Sequence, residues 1–371
     1  MTTYKIANIP FSITGNHPIV DVIKRDFYLL PNTKEKTNLN FKFVSEDILP
    51  KNYLQIENVY FNSDAIFIKD GSFNYRILGN PYSRNKVEIL LKPNYNSMNP
   101  LFAKIFQIRN WNYLTKLEVL AKNFIYNIFD YIMHLRLLQY KRAFIHGSSL
   151  VKNSQGIMFL GWGGAGKTSL LIKVMYDEEG WRFLSDDLSI LDENSIAYLN
   201  SKLLQIYAYN TKGNSKLLNR FLSNVSLFNK GNWYYKLYKH GPKGVRRRLS
   251  PEFIFGKENI ANQGIITKVL FLQRASTSNF KIVNAKPKYI AEKSAHIIIE
   301  ELNPFLKYSN ILHSFGQKID FPTSCEILQK SKEVYLNAFK SKECYFLFVP
   351  NEAGPSELHD FIKRYKLGIF E

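Results

Sequence analysis

The amino-acid sequence predicts an α/β protein with a β-rich N-terminal region. One observation is the glycine-rich stretch 161–168, which stands between an apolar run at 157–160 and a run with helical spacing at 169–176. The other is a series of short apolar runs in the first 110 residues, separated by Asn, Pro, Gly and Ser. A strand, a glycine-rich turn and a helix in succession are typical of an α/β core.

The N-terminal runs are short and end at turn-forming residues, which favours strands over helices. They predict strands at 5–13, 40–44, 53–61, 65–69, 73–78 and 86–91, with turns at 79–85 and 93–100. No metal-binding cluster or nucleophile stands out among them. We therefore predict that 1–110 is a separate β-rich region.

Apolar residues then recur at three- and four-residue intervals from 101 to 140. This spacing predicts an entry helix at 114–140. The helix opens the region 111–371, which we predict to be a second domain with a core that begins at about residue 141.

Two predicted strands precede the glycine-rich stretch. The strand at 142–151, the turn at 152–156 and the strand at 157–160 predict an antiparallel hairpin. After the helix at 169–176, the patterns predict strands at 180–191, 265–273 and 344–349, and helices at 289–302 and 355–365. The stretch 192–240 is rich in aromatic residues without an assignable element, and 241–251 indicates a flexible basic loop.

Composition narrows the class of protein. At 371 residues, with 45% hydrophobic and 15% aromatic residues, the chain is long enough for two or three domains and too apolar for disorder. It lacks an uninterrupted apolar run long enough for a membrane span, and its N-terminus lacks a signal-peptide pattern. Two cysteines provide neither a disulfide framework nor a zinc site. We therefore expect a cytoplasmic protein without a membrane span.

The net charge of +19 favours anionic partners such as nucleotides, acidic peptides or nucleic acid. The basic residues are spread along the chain rather than gathered in a tail. No nucleic-acid module signature accompanies them, so nucleic acid is the less favoured partner.

The glycine-rich stretch fits the phosphate-loop pattern G-x-x-x-x-G-K-[ST] at every fixed position. Its glycines let backbone N–H groups surround a triphosphate, Lys167 is placed to reach the terminal phosphates, and the Thr168 hydroxyl is placed to bind Mg²⁺. The alternative, a glycine-rich turn that matches by chance, does not explain the strand before it and the helix after it. We predict a nucleotide-binding set that consists of Gly161, Gly163, Gly164, Ala165, Gly166, Lys167, Thr168 and Ser169.

Asp186 and Asp187 follow an apolar run only nineteen residues after Lys167. Phosphoryl transfer needs a metal ligand and a group that accepts the proton of the attacking hydroxyl, and two carboxylates can divide these roles. Adjacent residues of a strand point to opposite faces, so both serve one site only at a strand end or an irregularity. We predict Asp186 as a metal ligand with Thr168, and both carboxylates as catalytic; the alternative is a solvated turn.

Two further candidates depend on context. His146 lies on the strand that the hairpin sets beside the phosphate loop. An imidazole there could hydrogen-bond a catalytic carboxylate and shift its pKa, although most single histidines are structural. Arg247 belongs to an arginine triplet in the predicted basic loop and could bind nucleotide phosphate. A solvated basic loop is its alternative.

Three motifs occur in order at short spacings: His146-Gly-Ser-Ser-Leu-Val, Gly161-Trp-Gly-Gly-Ala-Gly-Lys-Thr168 and Phe183-Leu-Ser-Asp-Asp187. Over about residues 140–192 the chain resembles the HPr kinase/phosphorylase catalytic domain and its related kinases, a superfamily similar to phosphoenolpyruvate carboxykinase. The resemblance implies a P-loop kinase fold that uses Mg²⁺ and ATP to phosphorylate a serine hydroxyl. It also implies that His146, Asp186 and Asp187 are catalytic.

We therefore expect an ATP- and Mg²⁺-dependent kinase whose acceptor is a serine of a protein or peptide. The resemblance further implies a homo-oligomer. Two alternatives remain: a kinase for a small metabolite such as free serine, and a nucleotide-dependent switch protein that binds nucleic acid.

Overall fold

The computed structural model describes residues 2–46, 48–49, 52–62, 65–94, 101, 105, 114–211, 214–223, 225–314, 321–365 and 368. The chain is a mixed α/β protein with two large mixed sheets, as its sequence predicts. Its contacts divide it into a first unit, Met1–Arg142 with Ile299–Lys330, and a second unit, Ala143–Ile298 with Ser331–Glu371. The predicted boundary between 110 and 111 lies outside the described residues.

The elements are numbered along the chain. The strands are β1 (Thr2–Ile6), β2 (Ile9–Gly15), β3 (Leu39–Phe43), β4 (Leu54–Ile56), β5 (Val59–Phe61), β6 (Ala65–Lys69), β7 (Phe73–Leu78), β8 (Val87–Pro93), β9 (Arg142–Lys152), β10 (Gln155–Leu160), β11 (Arg182–Ser185), β12 (Leu188–Asp192), β13 (Ile196–Tyr198), β14 (Leu204–Tyr207), β15 (Arg246–Leu249), β16 (Gln263–Ala275), β17 (Lys281–Asn284) and β18 (Glu343–Pro350). The α-helices are α1 (Ile19–Lys24), α2 (Lys116–Phe124), α3 (Asp130–Leu138), α4 (Lys167–Asp177), α5 (Ala208–Thr211), α6 (Ser215–Ser223), α7 (Leu227–Gly244), α8 (Pro251–Phe255), α9 (Pro287–Glu301), α10 (Asn303–Ser314), α11 (Ser324–Phe339) and α12 (Pro355–Arg364).

The first unit is built on an eight-stranded sheet in the order β1-β2-β3-β8-β7-β6-β5-β4. The predicted strands at 65–69 and 73–78 are confirmed, whereas those predicted at 5–13 and 53–61 are wrong because each contains a turn. Ala7 and Asn8 adopt φ values of 46° and 62°, and Glu57 adopts 50°. Each turn contains an asparagine, and the spacing of apolar residues changes from two to three across it, from Ile6 to Ile9 and from Ile56 to Val59.

The predicted entry helix is confirmed in its described part, and it contains a π-helical turn, Ile125–Phe129, between α2 and α3. The helical pattern at 102–104 and 106–113 lies outside the described residues. Phe124 and Phe129 pack in the core with Phe41 of the sheet, with ring centroids 5.5 Å and 5.4 Å from that of Phe41. Aromatic packing of this kind accounts for the apolar spacing of the helix. Among the described residues, no helix combines the length and hydropathy needed to cross a membrane.

The second unit contains the strand order β10-β9-β12-β13-β16-β18-β17, with β11 also paired to β9. The predicted hairpin is confirmed, because β9 and β10 are antiparallel. On its other side β10 pairs with β16 in parallel, and β16 pairs with β18 in parallel. The carboxyl ends of β10, β16 and β18 therefore meet at one edge, which is where ligands bind in open α/β sheets.

A smaller cluster forms in the stretch that the sequence left unassigned. The ribbon of β14 and β15 packs with α5, α6 and α7 around four buried residues: Ala208, Phe221, Trp233 and Val245. The predicted flexible loop at 241–251 is therefore wrong over 246–249, which form a strand. The three consecutive arginines concealed this strand, because they carry no apolar alternation.

Candidate active site

The phosphate-loop sequence lies at the carboxyl edge of the second sheet, between β10 and α4. Gly161 adopts a φ of 132°, and a Cβ atom there would come within 2.3 Å of the Leu272 carbonyl oxygen. Gly166 adopts 109° at the residue that precedes α4. Glycine is therefore needed at both positions, one for close approach to β16 and the other for the turn into the helix.

Lys167 is buried at the first turn of α4. Its Nζ donates hydrogen bonds to the carbonyl oxygens of Gly161, at 2.7 Å, and Trp162, at 3.0 Å. The ammonium group thus lies over the loop that the sequence assigns to the triphosphate. Together with the N-terminus of the eleven-residue helix α4, it makes this edge of the sheet attractive to anions.

Thr168 joins the loop to the carboxylate pair. Its Oγ1 donates to the Asp186 carboxylate, 3.0 Å from each oxygen, and Ser148 Oγ of β9 donates to Oδ1 at 2.5 Å. Burial raises the pKa of Asp186, while the hydrogen bond from Ser148 opposes that rise. The pair of hydroxyl donors holds one carboxylate in a defined position beside the loop.

Asp187 lies at an irregularity of the chain between β11 and β12. It adopts a φ of 70°, and its carbonyl oxygen accepts a hydrogen bond from the Gly147 backbone N–H at 3.0 Å. This break in the strand is the kind of irregularity that lets two adjacent carboxylates serve one site. Unlike Asp186, Asp187 is partly exposed.

His146 is buried on β9, two residues before Ser148. Burial, followed by the positive charge of Lys167, lowers its pKa to about 4, although the charge of Asp187 acts in the opposite direction. The imidazole is therefore neutral at neutral pH. The structure thus brings His146 into the same electrostatic environment as the loop lysine and the second carboxylate.

Arg247 packs into the small cluster instead of lying in an open loop. It is buried, its guanidinium lies 6.0 Å from the ring centroids of Phe221 and Trp233, and it donates to the Asn229 carbonyl oxygen at 2.6 Å. In the ribbon, Arg246 opposite Tyr207 is exposed, since alternate residues of a strand face opposite sides. The nucleotide-binding role of Arg247 therefore stays a prediction that these contacts do not support.

Ser169 is also tied to this cluster. Its Oγ accepts a hydrogen bond from Asn210 Nδ2 at 2.7 Å, and Asn210 Oδ1 accepts one from the Tyr207 backbone N–H at 2.8 Å. The tyrosine rings of Tyr207 and Tyr209 are stacked, with centroids 5.2 Å apart. This connection could not be predicted from the sequence, because no motif links 207–210 to the phosphate loop.

Arg274, at the end of β16, is a second residue that the analysis missed. Its Nη1 donates to the carbonyl oxygens of Pro350, at 2.7 Å, and Ala353, at 2.9 Å, and its Nε lies 3.4 Å from the Gly164 carbonyl oxygen. Burial lowers its pKa, although the charge of Glu352 raises it. A basic residue that directly follows an apolar strand was the signal available in the sequence.

No protein-family model matches the chain, and neither does any curated protein. Among solved structures, one match is the HPr(Ser) kinase/phosphatase from Coxiella burnetii, which is 10% identical, with a TM-score of 0.28, over 61% of this chain and 97% of that one. Likeness at this level says nothing about function, so the function has to be inferred from the residues of the site.

Proposed function

We propose that the protein is a kinase that transfers the γ-phosphoryl group of Mg²⁺-bound ATP to the hydroxyl of a serine in a protein or peptide. The observation that carries the proposal is the hydrogen bonding of Thr168, in the phosphate-loop helix, to the buried carboxylate of Asp186. A nucleotide site that only senses its ligand does not require a second carboxylate beside the first, whereas phosphoryl transfer uses both. The serine acceptor rests on the motif resemblance.

The loop supplies the anion site. Backbone N–H groups of 161–166, the positive end of α4 and the Lys167 ammonium would surround the β- and γ-phosphates. Lys167 is already held over the loop by two carbonyl oxygens, so a small movement of its side chain exchanges these acceptors for phosphate oxygens. Binding energy here comes from charge-assisted hydrogen bonds in a partly buried site.

Thr168 and Asp186 are the residues that would hold Mg²⁺. Both offer oxygen atoms, which Mg²⁺ prefers, and they lie within 3.0 Å of each other. Among the described residues no group of three or more His, Cys, Asp and Glu could hold a metal ion by itself. Mg²⁺ would take its remaining ligands from phosphate oxygens and water, as it usually does in phosphoryl-transfer sites. When bound, Mg²⁺ neutralises charge on the transferred phosphoryl group.

Asp187 is the better placed carboxylate for the proton. The acceptor hydroxyl oxygen forms a bond to the γ-phosphorus, the bond from that phosphorus to the β–γ bridging oxygen breaks, and the hydroxyl proton passes to Asp187. Its partial exposure leaves it accessible to an acceptor, whereas Asp186 is engaged by Thr168 and Ser148. His146, neutral beside them, adds no positive charge that would compete for Asp187.

The test is transfer of label from [γ-³²P]ATP in the presence of Mg²⁺. Serine-containing peptides and free serine are supplied in separate reactions, and products are identified by mass spectrometry. We expect a phosphopeptide from the parent protein and no product from the Lys167→Ala variant. Phosphoserine as the sole product would show that the acceptor is a small metabolite, free serine, and not a peptide. Unchanged transfer by both Asp186→Asn and Asp187→Asn would refute the mechanism.

A further inference from the structure

The stretch 194–251, which we call the basic segment, has an unusual charge. It contains eleven of the 50 Lys and Arg residues and none of the 31 Asp and Glu residues: Lys202, Lys212, Lys216, Arg220, Lys230, Lys236, Lys239, Lys243, Arg246, Arg247 and Arg248. More than half of the net charge of +19 therefore falls within less than a sixth of the chain. So strong a local excess creates a positive potential that attracts anions.

Five of these basic residues are exposed: Lys216, Arg220, Lys239, Lys243 and Arg246. The basic segment buries Phe221 and Trp233 in its own cluster, and Arg247 is buried with them. Burial, and after it the charges of Arg247 and Lys239, lower the pKa of Lys236, as expected where positive charges are close together.

The basic segment is also fixed to the candidate active site. Asn210 bonds Ser169, the residue that follows Thr168, and the stacked ring of Tyr209 lies next to Tyr207. A chain bound to this surface would therefore pass close to the phosphoryl-transfer centre.

Arg246 has the geometry of an anion-binding arginine. Its Nη1 donates to the Tyr207 hydroxyl at 2.7 Å, and its Cζ lies 5.5 Å from the centroid of that ring. One of its five N–H donors is used in this hydrogen bond, and an exposed guanidinium edge suits a carboxylate, which it can bind through two parallel hydrogen bonds.

Resting on the proposed kinase function, we infer that the basic segment binds the acceptor itself, as a serine-containing peptide with glutamates or aspartates around the serine. An acidic peptide is favoured over a nucleic acid because cations already cover aromatic rings here. Arg246 covers Tyr207, and Lys239 lies 5.9 Å from the Tyr235 centroid. Nucleic-acid sites instead leave aromatic faces open for base stacking. In this segment Tyr234 and Tyr238, which are 54% and 92% exposed, are the tyrosines that such stacking would use.

Peptide binding can be measured without nucleotide, so that it is tested separately from catalysis. A fluorescein-labelled peptide with one serine flanked by glutamates is compared with the same peptide carrying alanines, by fluorescence anisotropy at low and high salt. We expect the acidic peptide to bind more tightly and to lose affinity as salt rises. The double variant Lys239→Glu/Lys243→Glu should weaken its binding about tenfold, as should Arg246→Gln alone.

The matched control is Lys281→Glu/Lys286→Glu, which removes the same charge from exposed lysines of the same unit outside the basic segment. It should change peptide affinity less than about twofold. Equal weakening by both double variants would show that peptide affinity depends only on the net charge of the protein, and would overturn the inference. Tighter binding of single-stranded DNA, lost in Tyr238→Ala, would also overturn it. Peptide binding as expected, together with no phosphoryl transfer, would contradict the proposed function and leave the acidic-peptide site intact.

Discussion

The catalytic stretch, 142–192, and the basic segment that follows it use charged residues in opposite ways. In the catalytic stretch Lys167 and Asp186 are 6% and 7% exposed, and each is held by hydrogen bonds from or to neighbouring elements. In the basic segment five of the basic residues are exposed, only Lys202 and Arg247 are buried among the described ones, and no acidic residue accompanies them. Glu193 alone separates the two stretches in sequence, and the hydrogen bond between Ser169 and Asn210 joins them.

The buried charges of the catalytic stretch suit catalysis, whereas the exposed charges of the basic segment suit recognition of a binding partner. A buried charge interacts strongly with its neighbours because little water screens it, so a few fixed residues suffice for catalysis. An exposed charge is screened within about 10 Å at ordinary salt, so recognition needs many charges of the same sign. The first arrangement depends on exact positions, whereas the second depends on composition.

The largest expected effect comes from the carboxylate that we assign as the base. Asp187→Asn should lower kcat about 10³-fold, because a general base contributes factors of this size. The concentration of Mg²⁺ needed for half-maximal activity should stay the same. Asp186→Asn, by contrast, should raise that concentration, since it removes a metal ligand. Steady-state kinetics over a Mg²⁺ titration distinguish the two.

Glu193→Gln provides the control for this pair, because it neutralises a carboxylate six residues further along the chain that is not part of the site, and it should leave kcat unchanged. If Asp187→Asn altered the Mg²⁺ requirement and Asp186→Asn did not, the two roles would have to be exchanged.

A second comparison lies within the arginine triplet. Arg247→Ala should lower the free energy of unfolding by about 3 to 4 kcal/mol, because it removes a buried side chain that packs on Trp233 and leaves the Asn229 carbonyl oxygen without this donor. Arg246→Ala, at the exposed position, should change it by less than about 0.5 kcal/mol. Urea denaturation of both variants makes the comparison. Equal losses would mean that Arg247 does not hold the cluster together.

Much of the fold could be predicted because the apolar patterns are strong where strands and helices are buried. β6, β7 and the hairpin of β9 and β10 were predicted in this way. The turns at Ala7-Asn8 and Glu57-Asn58 were missed, although asparagine is a typical turn residue, because apolar residues stand on both sides of each turn. β15 was missed for the opposite reason, because three arginines hide a strand whose middle residue is buried.

The residues of the candidate site also fall into those that could be predicted from the sequence and those that could not. The phosphate loop and Asp186 come from a local motif, in which sequence spacing fixes spatial proximity. Arg274 and Asn210 reach the loop from elsewhere in the second unit, so spacing could not reveal them. The absence of acidic residues from 194–251 was visible in the sequence, but only a count by segment shows it.

Two glycines of the phosphate loop differ in how closely other atoms approach the position of a Cβ, so alanine at the two positions should cost different amounts of stability. Gly161→Ala should cost about 2 to 3 kcal/mol of stability, because its φ is unfavourable and its Cβ would meet the Leu272 carbonyl oxygen. Gly163 has no atom within 4 Å of such a Cβ, so Gly163→Ala should cost less than about 1 kcal/mol. Thermal and urea denaturation measure both. A Gly163 variant that is the less stable of the two would show that the loop has a different conformation.

The smallest expected effect is the pH dependence that His146 contributes. An unfolded histidine has a pKa near 6.5, whereas burial and Lys167 lower the pKa of His146 to about 4. The unfolded chain therefore binds more protons between these values, so stability is complete above about pH 6.5 and is lost as the pH falls towards 4. At pH 5 the loss of stability attributable to His146 should be about 2 kcal/mol relative to pH 7.

Urea denaturation of the parent and of His146→Gln at both pH values isolates the contribution of His146, because all other groups titrate in both proteins. A parental loss no larger than that of His146→Gln would mean that the buried imidazole is not held neutral, and that the catalytic stretch tolerates a charge there as the basic segment does.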